Sequence, residues 1–293
     1  MPPMASMIYG TAWKGAETGR LVYEAIKAGF RSIDTAAMAR HYNEAGCGDG
    51  IRRAVHEGLV SRSDLYIQTK FSPHDDAFAD TTRYPDISSQ VDASVAQSLS
   101  RLQASDNPRD RYLDCLVLHS PYPRHEDTLV AWRALSAHVP EFIRSLGISN
   151  ITHHELQGLL DSPNVNPPPA VVQNRFAASE HGWDAATRSL CASSKIAYQG
   201  FWTLTANQRE WQTSDYVGAV AAGAGVSRAV AWYSLMIGMD IVVLNGTTNV
   251  DHMREDLAGL GRIVEWRATE EGEKVFEQCL AAMGSRTGTV HGS

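Results

Sequence analysis

The sequence lacks the features that mark several special classes of protein. Its 293 residues contain four cysteines (Cys47, Cys115, Cys191 and Cys279) with no Cys-x-x-Cys pair, which argues against a zinc site and a disulfide framework. There is no Lys/Arg run and the formal net charge is −7, so we expect no nucleic-acid or membrane partner. No run approaches the ~20 apolar residues of a membrane span, and residues 1–10 lack the pattern of a secretory signal. We therefore expect a cytoplasmic protein without a metal site, whose oligomeric state the sequence does not indicate.

Short apolar runs and helical patterns alternate eight times along the chain. The runs begin near residues 7, 31, 65, 112, 142, 170, 195 and 240, and each is followed by a predicted helix. This alternation predicts an α/β protein with a parallel sheet. Eight such units close most naturally into a (β/α)8 TIM barrel, here a single domain over residues 1–293 with a disordered tail at 284–293.

An open, doubly wound sheet is the alternative fold, but it requires a glycine-rich turn after the first strand. The one candidate is GCGDG at 46–50, which lies inside the helix predicted over 44–56. We interpret these glycines as sites of close helix packing. The barrel is therefore the preferred prediction.

Polar side chains follow several predicted strands directly. Asp34, Lys70 and His119 each come at the end of an apolar run, and Tyr42 lies eight residues after Asp34. The carboxyl ends of barrel strands meet at one rim, so these groups are expected to lie together. An ammonium beside a phenol lowers the phenol pKa, and a carboxylate can hold that ammonium in place. The pattern predicts an acid–base relay through Asp34, Lys70 and Tyr42, with His119 orienting a carbonyl oxygen.

A set of motifs runs through nearly the whole chain: GTA at 10–12, FRSIDTA at 30–36, YNE at 42–44, TK at 69–70, LVLHSP at 116–121, GISN at 147–150, PAVVQ at 169–173, and NGTTN…REDL over 245–257. In this order and at these spacings the sequence resembles the aldo-keto reductase family. The resemblance implies a (β/α)8 barrel that reduces aldehydes and ketones with a nicotinamide cofactor, usually NADP(H). It also implies a catalytic tetrad of Asp34, Tyr42, Lys70 and His119.

The same resemblance implies cofactor-binding and substrate-binding residues. Ser149, Asn150 and Gln173 would hold the nicotinamide carboxamide, Phe201 would stack on the ring, and Glu255 and Asp256 would face the adenine. The remaining cofactor residues implied are Gly10, Thr11, Ala12, Asp34, Trp202, Thr203, Leu204, Asn245, Gly246, Thr247, Thr248 and His252. The substrate residues implied are Trp13, Met38, His41 and Trp202, a largely apolar and aromatic set that is typical of ligand pockets.

Two departures from the family pattern affect these assignments. The family usually has its tyrosine five residues after the aspartate, where this chain has Ala39, so the chain resembles a subgroup with a longer DTA…HYNE loop. His41 is the neighbour that competes with Tyr42 for the role. NADPH-preferring members also hold the 2′-phosphate with Lys-Ser and Arg, where this chain has Gly246, Thr247 and His252. We expect NADP(H), with NAD(H) as the alternative.

The predicted function is therefore NAD(P)H-dependent reduction of an aldehyde or ketone to an alcohol, with Tyr42 as the proton donor. In many members of the family the segment after the last barrel helix closes over the substrate; it is short here, so the predicted pocket is compatible with a bulky natural-product ketone or aldehyde of secondary metabolism. Two alternatives remain at this stage. One is a non-reducing acid–base enzyme on the same fold (a cyclase, dehydratase or isomerase), and the other is a cofactor-binding regulatory subunit.

Overall fold

Eight parallel strands form a closed barrel in the computed structural model of the protein, which describes residues 4–73 and 82–288. The strands are β1 (Met7–Gly10), β2 (Ser32–Asp34), β3 (Tyr66–Phe71), β4 (Cys115–Leu118), β5 (Leu146–Ser149), β6 (Val171–Arg175), β7 (Ala197–Phe201) and β8 (Ile241–Asn245). Their order around the barrel follows the order in the chain. The predicted (β/α)8 TIM barrel is confirmed, and the open sheet is excluded.

Helices connect the strands and follow the last of them. They are α1 (Thr18–Ala28), α2 (Glu44–His56), α3 (Ile87–Arg101), α4 (His125–Ser136), α5 (His153–Asp161), α6 (His181–Ser193), α7 (Gln208–Thr213), α8 (Asp215–Ala224), α9 (Arg228–Gly238), α10 (Val250–Arg267) and α11 (Glu270–Thr287). The sequence did not predict α7 and α8, and α10 is twice as long as the helix predicted over 250–258.

The chain divides into two compact units, Met1–Gln173 and Asn174–Ser293. In the first unit, the strand register pairs Gly10 with Asp34 and Asp34 with Gln68. In the same unit, Ser149 pairs with Gln173. This register places the candidate polar residues of the first unit on neighbouring strands. The second unit has an aromatic core in which Phe176, Trp183 and Trp232 pack with ring centroids 5.1–6.4 Å apart.

The glycines of α2 are sites of close packing, as the sequence predicted. A Cβ atom on Gly50 would lie 2.5 Å from the Gly19 carbonyl oxygen of α1, and one on Gly48 would lie 1.8 Å from the Arg101 carbonyl oxygen at the end of α3. The Asn43 side chain caps the helix by accepting a hydrogen bond from Gly46 N. These contacts fix α2 directly after the loop that carries Tyr42.

The predicted disordered tail at 284–293 is wrong over its first residues. Helix α11 continues to Thr287, and both Gly284 and Thr287 are buried. The Arg188 guanidinium donates a 2.5 Å hydrogen bond to the Thr287 carbonyl oxygen, which holds this last turn. Residues 289–293 lie outside the described part of the chain, as do residues 1–3 and 74–81.

Two features of the described residues concern candidate membrane helices and candidate metal-binding clusters. No helix by itself is long and apolar enough to cross a bilayer, although α8 and α9, bent by 104° at their junction, satisfy length and composition as a pair. No group of three or more His, Cys, Asp or Glu side chains that could hold a metal ion occurs within residues 4–73 and 82–288.

Candidate active site

The Asp34 carboxylate at the end of β2 collects three hydrogen bonds inside the first unit. Lys70 Nζ donates to Oδ2 at 2.6 Å, while Gln68 Nε2 and Gln173 Nε2 donate to Oδ1 at 2.7 and 3.1 Å. Lys70 also donates to the Thr35 carbonyl oxygen at 2.9 Å. Asp34 and Lys70 are each 1% exposed. A buried ammonium with two strong acceptors is held in one position and keeps its charge.

Tyr42 lies against this ion pair. Lys70 Nζ lies 5.0 Å from the centroid of the Tyr42 ring, so the charge of the ammonium acts on the phenol. The turn that places the tyrosine is closed by His41 N and Tyr42 N, which both donate to the Met38 carbonyl oxygen. The longer loop therefore still brings Tyr42 to Lys70, eight residues after Asp34.

The pKa of Tyr42 differs from the sequence-based expectation. Burial raises the pKa of Tyr42 above its ordinary value, and the charge and hydrogen bond of Lys70 offset only part of that rise. The lowered pKa that we expected from the ammonium is therefore wrong for this structure, because loss of hydration is the larger effect. Burial also acts to lower the pKa of Lys70, but Asp34 and Tyr42 together outweigh it and raise that pKa. The phenol is protonated and the amine is charged at neutral pH.

His119 follows β4 and faces the tyrosine. Its ring lies edge-on to the Tyr42 ring, with centroids 6.0 Å apart and an interplanar angle of 69°. His119 N donates to the Phe71 carbonyl oxygen at 2.8 Å, and its Nδ1 lies 2.6 Å from Ser72 Oγ. Burial, together with the charges of Lys70 and His41, lowers the pKa of His119 to about 3. The imidazole is therefore neutral at physiological pH and can donate only from whichever ring nitrogen carries the proton.

Ser149, Asn150 and Gln173 form a connected polar group at the ends of β5 and β6. Ser149 Oγ donates to the Gln173 carbonyl oxygen at 2.6 Å, and Asn150 Nδ2 donates to Ser149 Oγ and to the His119 carbonyl oxygen. Asn150 has a φ of 53°, in the left-handed region that asparagine tolerates. These bonds use the Asn150 amide nitrogen and leave its Oδ1 oxygen as an acceptor. The structure thus brings this trio together with Asp34 through Gln173.

The Trp13 and His41 rings pack against each other, with centroids 3.9 Å apart and an interplanar angle of 43°. Trp13 N donates to the His41 carbonyl oxygen at 2.8 Å, and the indole is 66% exposed. Met38 is half-buried in the same loop. Two aromatic rings and a thioether thus form an apolar surface on the loop of Tyr42. Gly10 ends β1, and Thr11 and Ala12 follow it. Thr11 N donates to the Asp34 carbonyl oxygen, and the buried Thr11 Oγ1 has no hydrogen-bond partner within the described residues.

The second unit carries the remaining predicted cofactor residues. Phe201 ends β7 and is half-buried, whereas Trp202 is 47% exposed, has a φ of 57°, and lies 4.3 Å below the Arg175 guanidinium. Thr203 is buried, and its carbonyl oxygen accepts hydrogen bonds from Asn207 and Trp232. Leu204 accepts from the Trp211 indole. Thr203 and Leu204 thus take part in structural contacts through their backbone.

The turn between β8 and α10 is held mainly by its own residues. Asn245 is fully buried; it donates to Asp256 Oδ2 at 2.6 Å and accepts from Thr247 N. The Asn249 side chain caps α10 by accepting from Asp251 N and His252 N. Asp256 is 6% exposed, and burial raises its pKa to about 6, whereas Gly246, Thr248, His252 and Glu255 are exposed. Several N–H groups at this helix terminus are therefore already bonded within the protein.

Sequence reasoning missed three side chains of the first unit. Gln68 and Ser72 lie two residues before and after Lys70, so a strand places all three on one face. This spacing could have revealed them. Lys14, next to Trp13, is 7% exposed with its ammonium 5.0 Å from the Tyr9 ring centroid, and burial lowers its pKa to about 8. No signal in the sequence distinguished this lysine from a surface lysine.

The closed (β/α)8 barrel thus carries Asp34, Lys70 and His119 at or next to the carboxyl ends of β2, β3 and β4, with Tyr42 in the loop after β2, and comparison with known proteins gives the family. A sequence model described as the Aldo/keto reductase family matches residues 6–201. The chain belongs to this family.

The match with individual relatives covers only part of each protein. The glyoxal reductase of Bacillus subtilis is 36% identical over 155 residues, which is 52% of this chain and 47% of that protein. The methylglyoxal reductase DkgA of Salmonella typhimurium is 30% identical over 183 residues, 59% of this chain and 56% of that protein. The chain thus spans about half the length of the curated relatives it matches.

Solved structures of low sequence identity share the fold. The aldo-keto reductase MGS-M4 from a Medee basin deep-sea metagenome library superposes with a TM-score of 0.73 at 18% identity, covering 99% of this chain and 94% of that chain. The aldo-keto reductase AKR2E5, crystallised with NADPH, superposes with a TM-score of 0.70 at 20% identity, covering 94% of this chain and 84% of that chain. At these identities the likeness shows the barrel fold.

Proposed function

We propose that the protein is an NADP(H)-dependent carbonyl reductase that converts an aldehyde or ketone to an alcohol. The observation that carries the proposal is the buried chain from Asp34 through Lys70 to Tyr42, with a neutral His119 beside the phenol. Family membership and the glyoxal and methylglyoxal reductases among the relatives support it. NADPH in a structural neighbour supports the cofactor.

The donor and acceptor set of the first unit fits a nicotinamide carboxamide. That group needs an acceptor for its NH₂ and a donor for its carbonyl oxygen. The hydrogen bonds of the Asn150 side chain use its amide nitrogen, so Oδ1 remains as an acceptor. Ser149 and Gln173 lie in the same connected group. Ser149, Asn150 and Gln173 would hold the carboxamide, and the bound cofactor supplies a hydride from its nicotinamide C4.

The chain's own residues manage the charge that develops on the carbonyl oxygen. Tyr42, protonated because burial raises its pKa, donates its proton to that oxygen. Lys70 stabilises the resulting phenolate through its charge and hydrogen bond, and Asp34 holds the ammonium in place. A neutral His119 offers a second hydrogen bond to the same oxygen without competing for the proton.

The substrate proposal has a coarse and a fine level. The coarse level is a small carbonyl compound, supported by the names of the relatives. The fine level is the bulky natural-product carbonyl predicted from the sequence, for which the exposed Trp13 and its stack on His41 supply an apolar surface. A series from methylglyoxal through aromatic aldehydes to polycyclic ketones separates them: the fine level requires kcat/KM to rise with substrate size.

Substitution of the proton donor tests the proposal. We expect Tyr42→Phe to lower the kcat for NADPH-dependent reduction by ~10²–10⁴-fold, the usual contribution of a general acid, because the hydroxyl alone is lost. Tyr112→Phe is the matched control, since the Tyr112 ring packs against Arg62 and Arg144 in the same unit and should keep full activity.

Three outcomes would contradict the proposal. A Tyr42→Phe variant that retains more than a tenth of the wild-type kcat would exclude Tyr42 as the donor. Turnover of a substrate by the wild type in the complete absence of NADPH and NADH would instead favour the non-reducing acid–base enzyme. Wild type without any turnover, but with tight cofactor binding, would favour the regulatory subunit.

A further inference from the structure

Within the described residues, the Ser72 side chain makes one hydrogen bond, and its partner is His119. Ser72 follows β3 directly, is 2% exposed, and its Oγ lies 2.6 Å from His119 Nδ1. No other hydrogen bond of this hydroxyl occurs among residues 4–73 and 82–288. A serine hydroxyl has one proton to donate, and a buried donor left without an acceptor is costly. The only described acceptor for that proton is Nδ1 of His119.

The backbone around His119 keeps this contact in place. His119 N donates to the Phe71 carbonyl oxygen, one residue before Ser72, and the His119 carbonyl oxygen accepts from Asn150 Nδ2 at 2.8 Å. The imidazole is thus anchored on both sides of its backbone, with Nδ1 turned to Ser72. Its other nitrogen, Nε2, has no hydrogen-bond partner within the described residues. Nε2 is therefore the nitrogen that remains for a ligand.

We infer that Ser72 is a positioning residue that selects the tautomer of His119: its hydroxyl donates to Nδ1 and so places the single imidazole proton on Nε2. In this tautomer, Nε2–H donates a hydrogen bond to a carbonyl oxygen beside Tyr42. In the opposite tautomer, Nε2 presents a lone pair that repels the same oxygen. The neutral state of the ring makes the choice matter, because an imidazolium would donate from both nitrogens.

Ser72 acts on the substrate only through His119, so its role toward the reaction rests on the proposed function, whereas the tautomer itself does not. The sequence contains the signal for this pairing. Ser72 lies two residues after Lys70, and a strand that turns Lys70 toward Asp34 turns residue 72 to the same face. The histidine arrives from the neighbouring strand, in register with β3.

Nuclear magnetic resonance of imidazole nitrogens tests the inference on the whole protein without any substrate. Histidine labelled with ¹⁵N is incorporated, and the His119 signals are identified as those missing from His119→Gln. Long-range proton–nitrogen correlations then distinguish Nε2–H from Nδ1–H. We expect wild-type His119 to be neutral from pH 5 to 8 with its proton on Nε2. A proton on Nδ1 in the wild type overturns the inference without any Ser72 variant.

Variants of Ser72 test the cause. Ser72→Ala should shift His119 to a mixture of tautomers, whereas Ser72→Thr should keep the proton on Nε2 because it keeps the hydroxyl. Ser94→Ala is a control at a buried serine of α3. If Ser72→Ala leaves the tautomer unchanged, the inference is wrong. In the reductase assay, Ser72→Ala should lower kcat by ~5–10-fold with little change in KM, as expected for one neutral hydrogen bond.

The two readouts separate the inference from the proposed function. Absence of carbonyl reduction would remove the proposed function but leave the tautomer measurement intact. An active enzyme in which Ser72→Ala has wild-type kcat and an unchanged imidazole spectrum would overturn the inference alone. Thermal unfolding of each variant reports whether a loss of activity follows from a loss of structure.

Discussion

At the scale of single residues, burial acts on Tyr42, Lys70 and His119 with different results. Burial raises the pKa of Tyr42; for Lys70 it works against the charge of Asp34 and is outweighed, so that pKa is raised as well. Burial lowers the pKa of His119 to about 3. All three groups are therefore kept in the protonation state that carbonyl reduction needs, across the physiological range.

The first prediction concerns the pH dependence of reduction. Between pH 5.5 and 7.5 we expect kcat/KM for an uncharged aldehyde to change less than about threefold, because His119 is already neutral and Tyr42 and Lys70 are still protonated. The measurement is the initial rate with NADPH at fixed ionic strength. A limb with a pKa between 6 and 7 would show that His119 titrates as an exposed histidine does, and would contradict its buried, neutral state.

The second prediction concerns Gly246 and His252, the positions that the sequence resemblance assigns to the 2′-phosphate of the cofactor. Arg254, the nearest arginine on α10, is exposed and paired with Asp251 at 3.2 Å. We expect the wild type to discriminate weakly between NADPH and NADH. The double variant Gly246→Lys, His252→Arg should raise the ratio of the two kcat/KM values by ~10-fold or more, since each charge-assisted contact contributes roughly 1.5–3 kcal/mol before solvent screening.

The control for this charge change is Gly261→Lys, which adds a cation to α10 at a glycine with open space around it. It should leave the cofactor ratio unchanged. Strong preference for NADPH in the wild type would mean that other groups neutralise the 2′-phosphate, and the assignment of these two positions would have to be revised.

At the scale of elements, close packing of α2 depends on the absence of side chains. The third prediction is that Gly48→Ala destabilises the protein by about 1–3 kcal/mol, because the new Cβ would lie 1.8 Å from the Arg101 carbonyl oxygen and backbone must move. Gly261→Ala has nothing within 4 Å and should stabilise α10 by about 0.5–1 kcal/mol. Urea unfolding followed by circular dichroism measures both changes; destabilisation of equal size would show that packing at Gly48 is not the cause.

The elements also show what the sequence could predict. The bounds of α2 agree with the prediction over 44–56, because Asn43 is a capping residue and the apolar spacing is regular. The strand predicted over 142–147 is instead β5 at Leu146–Ser149, since a short apolar run fits several registers. The helix predicted over 250–258 ends too early, because α10 continues through Gly259, which packs against Val230, to Arg267. Helix α8 is rich in alanine and glycine, which gave it little periodicity.

Some residues of the candidate site could be predicted from the sequence and others could not. Asp34, Lys70 and His119 were found because each ends or nearly ends a recognisable strand. Gln68 and Ser72 were not found, because their spacing of two residues from Lys70 places them on its face of the strand but does not name the partner that each one bonds. The sign of the Tyr42 pKa shift was also beyond the sequence, since it depends on the balance between burial and the charge of Lys70.

At the scale of the whole molecule, the first compact unit, residues 1–173, contains the proposed catalytic residues and the loop of Tyr42. It also contains the three residues proposed to hold the carboxamide: Ser149, Asn150 and Gln173. The predicted cofactor residues from Phe201 to Asp256 lie in the second unit. The first unit also contains His119, whose pKa is lowered to about 3, and the second contains Asp256, whose pKa is raised to about 6. These two groups act in opposite directions on the pH dependence of stability.

The last prediction uses this opposition. Unfolding restores His119 from a pKa of about 3 to an ordinary one near ~6.5, so the unfolded chain binds the extra proton and stability is lost as pH falls below ~6.5. Asp256 has its pKa raised to about 6, so the folded chain binds the extra proton and stability is gained as pH falls from about 6 towards ~4. We therefore compare the free energy of unfolding of each variant with that of the wild type. On going from pH 7 to pH 5, this difference should rise by about 2 kcal/mol for His119→Gln and fall by about 1 kcal/mol for Asp256→Asn. Urea unfolding at the two pH values measures both differences, and shifts of the same sign in the two variants would refute the linkage.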